Sequence, residues 1–199
     1  MIRYTIIIMA ILFLPSLGIT ATIHVPKDYA TLQGGIDAAD YGDTVLVSPG
    51  TYQENIIFKG KGIKLKSSQG PRITVIDGNQ FTHVVMFNQN EGPDAVIEGF
   101  TITNGDHSKG AGIYCKDSAS PSIIGNVITG NKAGEGGGIF CIHADPIIMG
   151  NTITMNTATS GGGIYCDNCE PVILNNVIAN NATTGSGGGI YCFICSPTS

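Results

Sequence analysis

The chain has 199 residues, of which 13% are charged, 28 are glycine and none is tryptophan, and its formal net charge is −5. This length allows one domain with a sizeable core, and the composition excludes both a charge-rich disordered chain and collagen, which needs glycine at every third position. The acidic balance, with no basic patch along the chain, excludes an ordinary nucleic-acid binder.

The N-terminus has the pattern of an export signal. Arg3 precedes an apolar run from Ile6 to Leu14, and small residues follow Pro15. Residues 16–18 and 19–21 both suit cleavage, and cleavage after Ala21 is favoured, which leaves nine Lys and Arg against fifteen Asp and Glu, a net charge of −6. An uncleaved anchor is the alternative, but the run is short for a bilayer and a proline interrupts it. We predict an exported protein that is not integral to the membrane.

The next segment, residues 22–50, begins with a strand and continues into a short helix. Leu32, Ile36 and Ala39 fall at i, i+4 and i+7, and Thr31 is a suitable N-cap. A Gly-Gly pair inside the segment weakens the helix, since each glycine costs roughly 1 kcal/mol relative to alanine. Short apolar runs then predict strands at 44–47, 55–58, 63–65 and 74–76.

A repeat of about 25 residues fills residues 111–199. The segment GAGIYC or GGGI(F/Y)C occurs four times, and its isoleucines, Ile113, Ile139, Ile164 and Ile190, are spaced by 26, 25 and 26 residues. Proline and two asparagine positions recur with nearly the same spacing. Each unit contains only short Ile- and Val-rich runs between Gly, Asn and Pro, which indicates three short strands per unit and no helix.

Units of this kind bury their apolar faces by stacking coil upon coil, with equivalent residues about 4.8 Å apart. In Ile-Tyr-Cys, alternation places the isoleucine and cysteine in the interior and the aromatic residue outside. Stacked asparagines would bond to one another along the axis. Glycines before the strand would permit tight turns and close backbone approach. We therefore predict an all-β, right-handed parallel β-helix solenoid.

The stretches VPKDYATLQGGIDAA, GDTVLVSPGTYQENI and TVIDG resemble the N-terminal region of pectin-lyase-like β-helix proteins, which include pectin methylesterases and bacterial surface proteins. The resemblance extends over residues 22–199. It implies an N-terminal capping helix that closes the first coil, so that 22–50 is a cap region, 51–110 the first coils and 111–199 the repeats. The fold serves many activities and does not by itself specify one.

The aromatic column of the repeats has two interpretations. It could stack on the pyranose rings of a glycan, or it could be a ladder that stabilises the outer surface, which is the favoured interpretation. The residues concerned are Tyr114, Phe140, Tyr165 and Tyr191.

Six cysteines form a second set of candidates, Cys115, Cys141, Cys166, Cys169, Cys192 and Cys195. Two Cys-x-x-Cys pairs have the spacing of a zinc site, but single cysteines occupy the same column elsewhere. The favoured interpretation is a buried thiol stack. Disulfides Cys166–Cys192 or Cys169–Cys195 come second, since adjacent coils have suitable separations. Zinc comes third, and no stoichiometric zinc or other cofactor is expected.

No catalytic constellation is recognisable, because the repeats lack the clustered carboxylates and the basic residue that a lyase needs. His83, His107 and His143 share no column and are expected to face solvent. The favoured function is an exported non-catalytic module, structural, adhesive or glycan-contacting, at the cell surface or outside the cell. The alternative is a polysaccharide lyase or glycoside hydrolase with divergent or missing catalytic coils.

The C-terminus starts a fourth repeat and stops shortly after Pro197. An uncovered solenoid end exposes a strand edge and an open core. The sequence therefore predicts either a fragment of a longer protein or a coil that docks another chain, including end-to-end association, besides any polysaccharide or cell-surface partner.

Overall fold

The structure is a computed structural model that describes residues 20–195. Residues 1–19 of the predicted signal peptide and residues 196–199 of the last repeat lie outside the described part. Of the helices in that part, none has the length and apolar character needed to cross a membrane.

The elements of the N-terminal half are β1 (Thr22–Val25), α1 (Leu32–Ala38), β2 (Thr44–Val47), β3 (Gly50–Gln53), β4 (Ile56–Ile57), β5 (Lys64–Ser67), β6 (Thr74–Asp77), β7 (Val85–Phe87), β8 (Val96–Glu98) and β9 (Thr101–Thr103). Those of the C-terminal half are β10 (Asp106–Lys109), β11 (Ile113–Cys115), β12 (Ser122–Ile124), β13 (Val127–Thr129), β14 (Lys132–Glu135), β15 (Ile139–Ile142), β16 (Ile147–Met149), β17 (Thr152–Thr154), β18 (Thr157–Ala158), β19 (Ile164–Asp167), β20 (Val172–Leu174), β21 (Val177–Ala179), β22 (Ala182–Thr183) and β23 (Ile190–Phe193).

Within residues 20–195 these strands form four sheets whose neighbouring strands pair in parallel. Sheet A has the order β1-β2-β5-β8-β12-β16-β20, and sheet B has β3-β6-β9-β13-β17-β21. Sheet C has the order β4-β7-β11-β15-β19-β23, and sheet D has β10-β14-β18-β22. The seven strands of sheet A correspond to about seven stacked coils. The predicted parallel β-helix is confirmed.

The predicted register of the repeats is also confirmed. Ile113 pairs with Ile139, Ile139 with Ile164, and Ile164 with Ile190. The first three are fully buried, while Ile190 is 40% exposed in the last described coil. Successive strand residues point to opposite faces, so the isoleucine and cysteine columns share the interior.

Each repeat has a fourth strand besides the three that the sequence predicted. These strands, β10, β14, β18 and β22, make up sheet D. Sequences such as Asp106–Lys109 and Lys132–Glu135 carry no apolar alternation. They become strands because coils of equal length place their backbone N–H and C=O groups opposite one another, and that pairing leaves no side-chain signal.

The helix forms where it was predicted, with Thr31 as its N-cap, and the Thr31 side chain accepts from the Gly34 N–H. The Glu54 carboxylate accepts from two further N–H groups at the same end, at 2.8 and 3.0 Å. Packing explains why the second residue of the Gly-Gly pair is a glycine. A Cβ on Gly35 would lie 2.9 Å from both Val25 and Val45. The missing side chain therefore lets the helix lie directly against sheet A.

The glycine runs have two separate structural roles. Gly110, Gly136, Gly161 and Gly187, the first glycines of the runs, have φ between 57° and 69°, which side chains rarely adopt. The later glycines let neighbouring coils approach closely. A Cβ on Gly138, for example, would lie 2.6 Å from the carbonyl oxygen of Gly163. The predicted roles in tight turning and close backbone approach are confirmed.

We expect Gly138→Ala to lower the free energy of unfolding by about 1–3 kcal/mol, because the added methyl overpacks the space between two coils. Urea unfolding measures this change. The matched control is Gly92→Ala, whose Cβ meets nothing within 4 Å and which should change stability by less than about 0.5 kcal/mol. Equal losses in the two variants would contradict the close-approach explanation.

Candidate functional site

A continuous stack of rings runs along the outer side of sheet C. We call His83, Tyr114, Phe140, Tyr165 and Tyr191 the aromatic ladder. Successive ring centroids are 4.6, 5.5, 5.0 and 4.9 Å apart, with interplanar angles of 7° to 30°. These distances and angles are those of stacked aromatic pairs, each of which contributes about 0.5–1.5 kcal/mol beyond its buried area.

The ladder lies outside the core but is largely covered. Phe140 is fully buried and Tyr165 is only 8% exposed. The Lys109 ammonium lies 5.2 Å from the Phe140 ring centroid and pairs with Glu135 at 3.1 Å. The Gly110 turn passes so close that a Cβ there would lie 2.8 Å from the Phe140 Cβ. Because the inner rings stack on one another, their faces are already occupied, which favours the ladder interpretation. Glycan contact along the column stays a prediction.

The first member of the ladder was missed in the sequence, where His83 was expected to face solvent. That expectation is wrong, because His83 is 6% exposed. Its ring stacks on Tyr114, its Nδ1 lies 2.8 Å from the Gly110 carbonyl oxygen, and its centroid is 4.0 Å from that of His107. His83 precedes the regular repeats, so no spacing aligned it with the aromatic column. His143 is exposed, as predicted.

Burial lowers the pKa of His83 from 6.5 to about 4. The folded protein therefore holds a neutral imidazole, while the unfolded chain takes up a proton once the pH falls below 6.5. The contribution that the neutral His83 makes to the free energy of unfolding is present in full above pH 6.5 and is lost as the pH drops towards 4. Near neutral pH, His83 is a neutral stacking and hydrogen-bonding group.

We expect His83→Phe to flatten the acid side of the stability profile, because phenylalanine keeps a ring against Tyr114 and cannot be protonated. Unfolding midpoints measured from above pH 6.5 down to about 4 should fall less steeply in the variant than in the parent chain. Titrating carboxylates affect both proteins alike, so the difference between the profiles isolates His83. Identical profiles would contradict this origin of the pH dependence.

The cysteines form two columns on adjacent positions of the coil. Cys115, Cys141, Cys166 and Cys192 are in register along sheet C. Cys169 and Cys195 follow in the last two repeats, and each Sγ lies 3.8 Å from a carbonyl oxygen of the coil before it. All six are free thiols. A hydrogen bond with the Cys115 thiol raises the pKa of Cys141 well above its usual value. A thiol of this kind is a weak nucleophile.

Several carboxylates hold the backbone of the first coils. Asp43 accepts from the N–H groups of Ala21 and Asp40, and the bond from Ala21 is the main cause of its lowered pKa. Glu91, which is 1% exposed, accepts from Gly60 and Gln89 at 2.9 Å each. These side chains have structural hydrogen bonds that explain their burial.

An open depression of about 410 Å³ on the outer side of sheet A was not predicted. Tyr41 lines it with 75% of its surface exposed, and its hydroxyl donates to the Asp94 carboxylate. Gly62 leaves the space in which the ring lies, and Lys64 is beside it. These residues come from separate coils outside the regular repeats. No regular spacing in the sequence therefore indicated that they lie together.

The described residues form parallel coils stacked about an apolar interior, which is the architecture of a parallel β-helix. The sequence profile described as "Right handed beta helix region" matches residues 54–199, and the chain belongs to that family. A protein named "Cell surface glycoprotein" from Methanothermus fervidus is 28% identical over 133 residues, which cover 63% of this chain and 21% of that protein. The chain thus spans about a fifth of this relative's length. No solved structure matches the chain.

Proposed function

We propose that the chain is an exported, non-catalytic β-helix module at the cell surface or outside the cell, where it has a structural or adhesive role and contacts glycans. The observation that carries the proposal is the side-chain bonding between coils. The aromatic ladder runs along the solenoid axis, and so do two columns of hydrogen-bonded asparagine amides, Asn126–Asn151–Asn176 and Asn131–Asn156–Asn181. Such bonding makes a rigid body whose outer faces keep a constant spacing. The name of the Methanothermus relative and the predicted signal peptide support the surface location.

The Tyr41 depression is the surface at which we place glycan contact. An exposed aromatic face suits the apolar side of a pyranose, while a neighbouring carboxylate and ammonium suit its hydroxyl groups. Tyr41, Asp94 and Lys64 supply these three chemistries around one open space. The inner rings of the aromatic ladder are less suitable because they are covered.

Affinity electrophoresis in gels that contain a uronic-acid polymer or a neutral glucan tests the binding. We expect at least one polymer to retard the chain, and we expect Tyr41→Ala to abolish the retardation. Phe81→Ala is the control, because Phe81 is an equally exposed aromatic residue, 78% exposed, outside the depression. If the Tyr41→Ala variant is retarded as strongly as the parent chain, the Tyr41 depression is not the glycan-binding surface.

The non-catalytic role has a separate test. The same polymers are incubated with the chain, with and without Ca²⁺, and are assayed for unsaturated and reducing ends. No ends should appear above the rate of the polymer alone. Ends produced in proportion to protein concentration would favour the lyase or hydrolase alternative.

A further inference from the structure

Two Cys-x-x-Cys segments stack directly on each other in the last two described coils. Cys166 pairs with Cys192 in sheet C, and Cys169 and Cys195 occupy equivalent positions just after the strands. Earlier coils have buried alanines at the second position, Ala119 and Ala144. Alanine is therefore sufficient to fill this corner of the core, and packing alone does not explain why sulfur replaces it in two neighbouring coils.

The turns after the strands direct the sulfur atoms towards one another. Asn168 and Ile194 have φ of 49° and 50°, so both segments turn through the left-handed region between their cysteines. The Sγ atoms of Cys166, Cys192 and Cys195 all lie within 4.8 Å of one another. Cys169 lies in the same segment as Cys166, and its Sγ is 3.8 Å from the Cys141 carbonyl oxygen.

Convergence of several sulfur atoms is the arrangement that a thiophilic cation uses. Zn²⁺ binds cysteine sulfur at about 2.3 Å in tetrahedral geometry, which places the sulfur atoms about 3.8 Å apart. The spacing of the Cys166, Cys192 and Cys195 sulfur atoms requires a contraction of about 1 Å or less to reach that value.

We propose that the three converging cysteines, Cys166, Cys192 and Cys195, form a structural thiolate site for Zn²⁺ that ties the last two described coils together, with Cys169 of the same segment as the fourth ligand. Each thiol loses its proton as the metal–sulfur bond forms, and no electron transfer is involved. The site goes beyond the proposed surface function and does not depend on glycan contact. The sequence ranked zinc last because spacing alone could not place the two segments on the same side of adjacent coils.

Zinc retention by the full chain tests the site. The protein is purified with a reductant, incubated with Zn²⁺ and desalted, and its metal content is measured by mass spectrometry. We expect about one zinc per chain, and a Co²⁺-loaded sample should show the sulfur-to-cobalt charge-transfer absorption. The C192S C195S variant should lose at least tenfold in retained zinc. Its substitutions are in partly exposed residues, and circular dichroism in chelator checks that it folds.

The matched control is Cys115→Ala, which removes a cysteine of the same column two coils away. It should retain zinc like the parent chain. The proposal is overturned if the parent chain holds less than a tenth of an equivalent while thiol titration shows its cysteines to be free and reduced. It is also overturned if the C192S C195S variant retains zinc fully.

Discussion

Ile164→Asp is expected to abolish folding of the chain. Ile164 is fully buried between Ile139 and Ile190 in the sheet C register. The substitution removes the apolar contacts of one isoleucine and places a carboxyl group where it has no partner, so the expected loss is at least about 4 kcal/mol. Domains are stable by about 5–15 kcal/mol, so a loss of this size is a large part of the total. Circular dichroism and urea unfolding measure it.

Two control variants distinguish the effect of burying a carboxylate from the effect of changing the isoleucine side chain. Ile164→Val keeps the site apolar and should cost about 0.5–1.5 kcal/mol. Val177→Asp introduces the same carboxylate at an outward position that is 58% exposed, and it should change stability by less than about 0.5 kcal/mol. An Ile164→Asp protein as stable as the parent chain would refute the interior position of the isoleucine column in sheet C.

Asn156→Leu is expected to lower the free energy of unfolding by about 2–6 kcal/mol. The Asn156 side chain is fully buried, and its oxygen accepts from the Asn131 backbone N–H at 3.1 Å and from the Asn131 amide at 3.0 Å. Its own amide donates to the Ile128 carbonyl at 2.9 Å and to Asn181 at 3.0 Å. Leucine leaves at least two buried backbone groups without partners, at about 1–3 kcal/mol each.

Hydrogen exchange tests whether the loss of stability comes from these hydrogen bonds more directly than urea unfolding does. The Asn131 N–H should lose its protection in Asn156→Leu well beyond the general loss of protection elsewhere. Thr157→Ala, at the exposed neighbouring residue, should leave stability within about 0.5 kcal/mol of the parent chain. A variant in which Asn131 remains as protected as its neighbours would show that the bond between the columns contributes little.

Both asparagine columns were predicted from their spacing, and both bond along the axis as expected. In one column Asn126 donates to Asn151, and Asn151 donates to Asn176, at 3.2 and 3.0 Å. The interior isoleucines and the aromatic stack of the repeats were predictable for the same reason, whereas the helix was predicted from its own apolar spacing and N-cap. In a β-helix, residues separated by one period lie above one another, so sequence spacing translates directly into contact.

Features outside the period could be decided only by the tertiary structure. Sheet D has no apolar pattern and forms because stacked backbones pair. His83 joins the aromatic ladder from a coil of different length, and the Gly110 turn determines how far Phe140 is covered. The sequence by itself determined which residues of the repeats stack, because that depends on period alone. The directions of the turns and side chains between coils determined which stacked side chains are covered. They also determined that the surface at Tyr41 remains open and that the sulfur atoms of the last two described coils converge. Those directions depend on packing between segments that share no repeat.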